Sequence, residues 1–120
     1  MNILKKGWKA VYKRSDNIYY SVIQHSESGG IYYVMNQWVY PKKQCGPLAV
    51  FTTEESAAYF IKDRYFCTYF PCFYEPTKLE FVWCCVLDLF TRKIARRLAS
   101  LPENTALANK VMLFMPIQIA

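Results

Sequence analysis

Five cysteines, Cys45, Cys67, Cys72, Cys84 and Cys85, and a single histidine, His25, have the widest chemical reach in this 120-residue chain. A structural zinc site wants thiolates in close pairs, separated by about two to four residues. Only Cys67 and Cys72 approach that spacing, and the adjacent Cys84 and Cys85 diverge in either a helix or a strand. The thiols are therefore expected to be buried as small apolar side chains, with no metal and no cofactor. Cys45, in the turn Cys45-Gly46-Pro47 behind Lys42 and Lys43, is the one thiol whose amide-rich, lysine-flanked setting would favour thiolate if exposed. His25 sits in a polar loop with no nucleophile beside it, whereas a triad needs a base, a nucleophile and an orienting group together. No catalytic residue is assigned, and the residue types point away from an enzyme.

Two other groups of residues suit binding. Arg92, Lys93, Arg96 and Arg97 fall on one arc at 100° per residue, so a helix here would present a basic face. Joined by Lys42 and Lys43, that face would neutralise several phosphates, with nearby tyrosines available to stack on bases. Tyr69, Phe70, Phe73 and Tyr74, with Phe81 and Trp83, form the second group, aromatic enough to mark a contact surface. Self-association through an edge strand near Pro71, or through Phe81–Leu87, would cover it. Protein–protein contact with a homo-oligomer is the leading expectation, and phosphate-backbone binding of nucleic acid is the alternative.

The elements that must position these residues are organised around Leu48 to Phe51, a short apolar run after Cys45-Gly46-Pro47 that reads as a buried strand. Thr52 with Glu55 has capping-box spacing, Glu54 and Glu55 suit the positive end of a helix dipole, and Ala57, Ala58, Ile61 and Tyr65 give one apolar side. A helix is expected over 54–64. Upstream, Gly7 to Lys13 alternates as a strand with Trp8, Ala10 and Tyr12 on one face. Ile18 to Gln24, Ile31 to Val34 and Gln37 to Tyr40 follow as strands. Phe66 to Tyr74 holds Pro71, which cannot donate to a ladder, so it reads as an edge or bulged strand. Lys78 to Val86 fits a strand or a lead into a helix. Leu87, Phe90, Ile94 and Leu98 form an apolar stripe, so a second helix is expected over 87–99, before a last strand from Val111 to Met115.

Composition narrows the classes. Hydrophobic residues at 53% and charged residues at 20% exclude a disordered chain, and ten Tyr, eight Phe and three Trp favour strands. A net charge of +6 fits either an anionic partner or simple solubility. Lys5 and Lys6 interrupt the start before a signal-peptide core forms, and the apolar run Phe81 to Leu87 is too short for a bilayer. An odd cysteine count suits a reducing compartment. These features predict a cytoplasmic protein with no membrane partner.

Several motifs carry a resemblance. Gly7-Trp8-Lys9, Tyr32-Tyr33-Val34, Asn36-Gln37-Trp38-Val39 and Cys45-Gly46-Pro47-Leu48-Ala49-Val50-Phe51 stand ahead of the helix, and Pro102-Glu103-Asn104-Thr105-Ala106-Leu107-Ala108 follows near the end. Together they resemble a family of short uncharacterised bacterial, archaeal and phage reading frames. That family has no assigned activity, so the resemblance implies an α+β fold and no reaction. Asn36 and Asn104 stand where the family often has glycine, and asparagine tolerates positive φ. A strand ending in Phe51, a Thr-containing turn and a helix with Ala57-x-Tyr59-Phe60 is also similar to the core of ADP-ribosyltransferase folds. Those enzymes hold nicotinamide with a glutamate, an Arg or His, and a Ser, Thr or Tyr. Tyr12 and Thr52 match no motif residue by residue, so that likeness implies a scaffold, with or without the activity, as a further alternative and carries over no catalytic residue. The expected architecture is one α+β domain over 1–120, a mainly antiparallel sheet with helices at about 54–64 and 87–99 packed on it.

Overall fold

A computed structural model describes residues 3–15, 18–21, 31–41, 45–86, 92–97 and 101–115. Its ten strands and one short helix among these residues make the protein mostly β, which overturns the expected α+β fold with two packed helices. The strands are β1 (Lys5–Ser15), β2 (Ile18–Ser21), β3 (Tyr32–Tyr33), β4 (Trp38–Val39), β5 (Cys45–Gly46) and β6 (Leu48–Phe51), followed by helix α1 (Glu54–Ile61). Next come β7 (Cys67–Pro76), β8 (Phe81–Val86), β9 (Arg92–Arg97) and β10 (Thr105–Leu113).

Four strands close on themselves. β1 pairs with β6 at Trp8 and Phe51, β6 with β10, β10 with β7, and β7 with β1 along Lys5–Tyr12, each antiparallel. Closure removes the free edges that an open sheet leaves. The far ends of β1 and β10 carry extra strands, β2 and then β3 on one and β4 on the other. β5, β8 and β9 form a separate three-stranded sheet.

Alternation sorts the side chains into two layers. Val11, Leu48, Val50, Cys72, Tyr74, Ala108, Val111 and Leu113 fill the barrel, capped by Tyr19, Ile31 and Tyr33 from the extension. On the outside, Ala10 and Phe51 lie with Ala57 of α1, packed by Trp8, Phe60, Ile61 and Tyr69. β6 is buried on both faces, which is why its sequence is a continuous apolar run. Gly7 is required by the closure: a Cβ there would stand 2.8 Å from the Phe51 carbonyl oxygen and 2.9 Å from the Tyr74 ring.

Three expectations are corrected in detail. The segment expected as helix 87–99 holds the strand β9, paired with β8 from Phe81 opposite Arg97 to Val86 opposite Arg92. An apolar stripe drawn from Leu87, Phe90, Ile94 and Leu98 satisfies a helical period, but the aromatic and β-branched β8 offers a cross-strand partner, and pairing decides. The residues 87–91 and 98–100 lie outside the described set. Secondly, α1 ends at Ile61, and its cap is Thr53, whose Oγ1 accepts from the Ser56 N–H at 3.2 Å. Thr52 donates instead to the Asn104 carbonyl at 3.2 Å. Thirdly, β7 is not an edge, for it pairs on both sides. Pro71 is tolerated because its carbonyl faces the β10 side, accepting from the Phe114 N–H at 3.1 Å. Its nitrogen faces the same way, beyond the end of that ladder, so no bond to β1 is lost.

Both asparagines expected to replace glycine adopt positive φ, Asn36 at 64° and Asn104 at 62°. Phe66 does so too, at 66°, a conformation that costs a bulky residue on the order of 1 kcal/mol or more.

Candidate functional site

α1 begins where β6 ends, and its Glu55, Tyr59 and Lys62 recur at four- and three-residue steps, so they share the outward face. The inward face rests on the barrel through Ala57, with Phe60 tilted against Phe51 at 5.3 Å between ring centroids. Beyond the helix the chain turns sharply through Arg64, Tyr65 and Phe66 before β7. This knuckle is the most exposed apolar part of the described surface: Tyr65 and Phe66 are each 90% exposed, and Tyr59 is 71% exposed. Its cations lie on the rings. Lys62 Nζ stands 4.3 Å from the Tyr59 ring centre, and the Arg64 guanidinium 4.4 Å from that of Phe60.

Beside α1 runs an open groove of about 850 Å³. Phe51 and Phe60 give it apolar walls, and Glu55, Ser56, Arg64 and Glu103 bring polar groups. Ser56 is tied into the frame, accepting from Asn104 Nδ2 at 2.8 Å and paired with Thr53 Oγ1 at 2.9 Å. Thr52 is spent on the Asn104 carbonyl, and Tyr12 lies on β1 opposite Tyr20 and Cys67, so neither of these two residues joins the groove's lining.

Inside the barrel lies a second polar cluster that sequence reasoning missed. Lys9 is buried, and its Nζ donates to the Ala49 carbonyl at 2.5 Å and stands 5.4 Å from the Tyr33 ring centre. Burial drives the Lys9 amine from 10.5 down to about 7, against the pull of Cys72. Cys72 lies diagonally across from Lys9, since Gly7 faces Cys72 and Lys9 faces Phe70. Burial pushes the Cys72 thiol up to about 12 despite Lys9, so it is a protonated filler and not a nucleophile. The Tyr33 phenol is likewise driven well above its ordinary value by burial, and its hydroxyl has no hydrogen-bond partner among the described residues. Lys9 does not line the groove beside α1.

The residues singled out from sequence are scattered. Arg92, Lys93, Arg96 and Arg97 stand on β9, where positions 92 and 96 belong to one face and 93 and 97 to the other, so the single basic arc of a helix does not form. Lys42, Lys43 and His25 lie outside the described residues. Of the aromatic group, Tyr74 is in the core, Phe70 packs edge-on against Tyr19 at 5.0 Å, and half-buried Tyr69 donates to Glu54 Oε2 at 3.1 Å. Phe73 is 39% exposed and stacked on Phe114 at 4.7 Å. Phe81 and Trp83 occupy β8, opposite Arg97 and Ala95. Cys67 and Cys72 are free thiols, and no group of three metal-ligating side chains occurs among the described residues. No described helix is long and apolar enough to cross a membrane.

Compared with known proteins, the chain matches no family model, no curated protein and no solved structure at a significant level.

Proposed function

We propose that this chain is a small non-enzymatic binding protein that works through protein–protein contact, and that the partner of its α1 face is a second copy of the same chain. The observation that carries this reading is the knuckle: three aromatic side chains left in water, one of them, Phe66, held at a positive φ that favours glycine. The contact surface expected from sequence, Tyr69 to Tyr74, supports the reading less, because alternation sends Tyr74 into the core and packs Phe70 against it.

Charge order along α1 favours a copy of itself. Its outward face reads acidic, aromatic, basic, through Glu55, Tyr59 and Lys62. Two such helices packed antiparallel about a two-fold axis set Glu55 of each against Lys62 of the other, with the two Tyr59 rings at the centre. A cytoplasmic setting belongs to the same reading, supported by the free thiols Cys67 and Cys72.

Sedimentation across a wide range of protein concentration tests it. The wild type is expected to double in mass as concentration rises, Glu55→Lys and Lys62→Glu each to remain monomeric, and the double exchange to recover the dimer. A wild type that stays monomeric throughout, or a double exchange no better than either single change, overturns the proposal.

A further inference from the structure

A row of tyrosines crosses the outer face of the sheet, on the side of β1 that carries Trp8 and Ala10 and past the end of α1. Tyr12 faces Tyr20 across β1 and β2, and Tyr20 faces Tyr32 across β2 and β3, so alternation puts all three on one side. The Tyr12 and Tyr20 rings are stacked at 5.6 Å with 19° between planes, and Tyr20 and Tyr32 follow at 6.1 Å and 50°. Tyr32, 48% exposed, also forms one wall of a cleft of about 270 Å³, whose other walls include Trp38 and the 59% exposed Tyr40. Lys110 Nζ lies 4.4 Å from the Trp38 ring centre and 3.9 Å from Glu75 Oε2, a long, partly exposed ion pair that a phosphate can replace. No acidic side chain lines the cleft, which argues against a cationic ligand. At the other end of the row, Tyr12 faces Cys67, the residue directly after the Arg64-Tyr65-Phe66 knuckle, and Lys62 and Arg64 are exposed there.

We infer that this aromatic row and its cleft are a binding platform for single-stranded nucleic acid, bases stacking on Tyr32 and Tyr40 while Lys110 and the knuckle cations answer the phosphates. Sheet faces bearing exposed aromatic rings recognise unpaired bases because every base offers a π-face, and ring-on-ring contact is sequence-tolerant. A chain of net charge +6 supplies the long-range attraction that brings a polyanion to such a face. A duplex keeps its bases stacked inside, so it offers the rings nothing. The platform shares Lys62 with the proposed dimer face, but its stacking rings, Tyr32 and Tyr40, lie outside that face, so the binding test and the sedimentation test fail separately.

The test is fluorescence anisotropy with a labelled thymidine oligonucleotide, its duplex and a proline-rich peptide, at low and moderate salt. The single strand is expected to bind more tightly than the duplex and to weaken as salt rises. Tyr32→Ala and Tyr40→Ala should each cost about tenfold in affinity, the scale of one lost stacking contact. Tyr32→Phe, which keeps the ring, should retain wild-type affinity. Both positions are exposed, and a circular dichroism spectrum identical to wild type confirms that each variant is folded. Absence of binding at low salt, equal binding of the duplex, binding of the peptide alone, or alanine variants that bind like wild type would each overturn the inference.

Discussion

Lys9 holds the most costly group in the barrel. An amine that titrates at 10.5 in the unfolded chain and about 7 in the folded one binds its proton more weakly when folded. The unfolded state therefore carries the extra proton between those two values, and stability climbs as pH rises from about 7 toward 10.5. At or below pH 7 the cost is fully present, up to about 5 kcal/mol at ~1.4 kcal/mol for each tenfold change in proton affinity. Lys9→Met keeps an unbranched side chain and removes the charge, so urea unfolding at neutral pH should show a more stable protein, and the alkaline gain specific to Lys9 should vanish. The sequence concealed this residue. Lys9 alternates with Trp8 and Ala10 as a solvated lysine would on a half-exposed strand, and only closure of the sheet through β7 and β6 turns its face inward. The tyrosine row was hidden for a related reason: Tyr12, Tyr20 and Tyr32 become neighbours through register, which lies in the pairing of three segments and in none of them alone.

At the scale of elements, β6 and the helix behind it were legible because their signals are local: an apolar run, a hydroxyl cap and two glutamates at the first turn. The cap itself slipped by one residue. Thr53 bonds the first turn while Thr52, the threonine with a glutamate three residues on, fastens the loop before β10. Replacing Thr53 by alanine is expected to cost about 0.5–2 kcal/mol of stability, the range for lost helix caps, read from the urea midpoint. Thr52→Ala gives up one exposed bond to Asn104 and should cost less. β9 was the least legible element. Its arginines and lysine suit the last turns of a helix, and what makes it a strand is β8, whose pairing partner cannot be read from the spacing within 87–99.

For the molecule as a whole, closure of four strands is the decisive feature, and nothing in the alternation of single strands announces it. Among the described residues Gly7 is the one whose type records it, since β1 crosses the Phe51 carbonyl and the Tyr74 ring with no room for a methyl group. Gly7→Ala should therefore lower stability by ~1–3 kcal/mol or more through forced displacement of backbone, with the urea midpoint falling and the slope unchanged. A greater loss accompanied by a reduced slope would mean that the barrel opens before the rest unfolds. The two surfaces proposed for binding lie outside this closed body, the knuckle at one end of an aromatic row and the Tyr32–Trp38–Tyr40 cleft at the other.

The enclosed amine has one more consequence. A lysine that titrates at about 7 carries a reactive neutral amine in a sizeable fraction of molecules near neutrality, yet the strands around Lys9 bar acylating reagents. Surface lysines will be modified at once and Lys9 only when the staves part. Its slow acylation, followed by mass spectrometry, is a clock built into the protein for how often the barrel breathes.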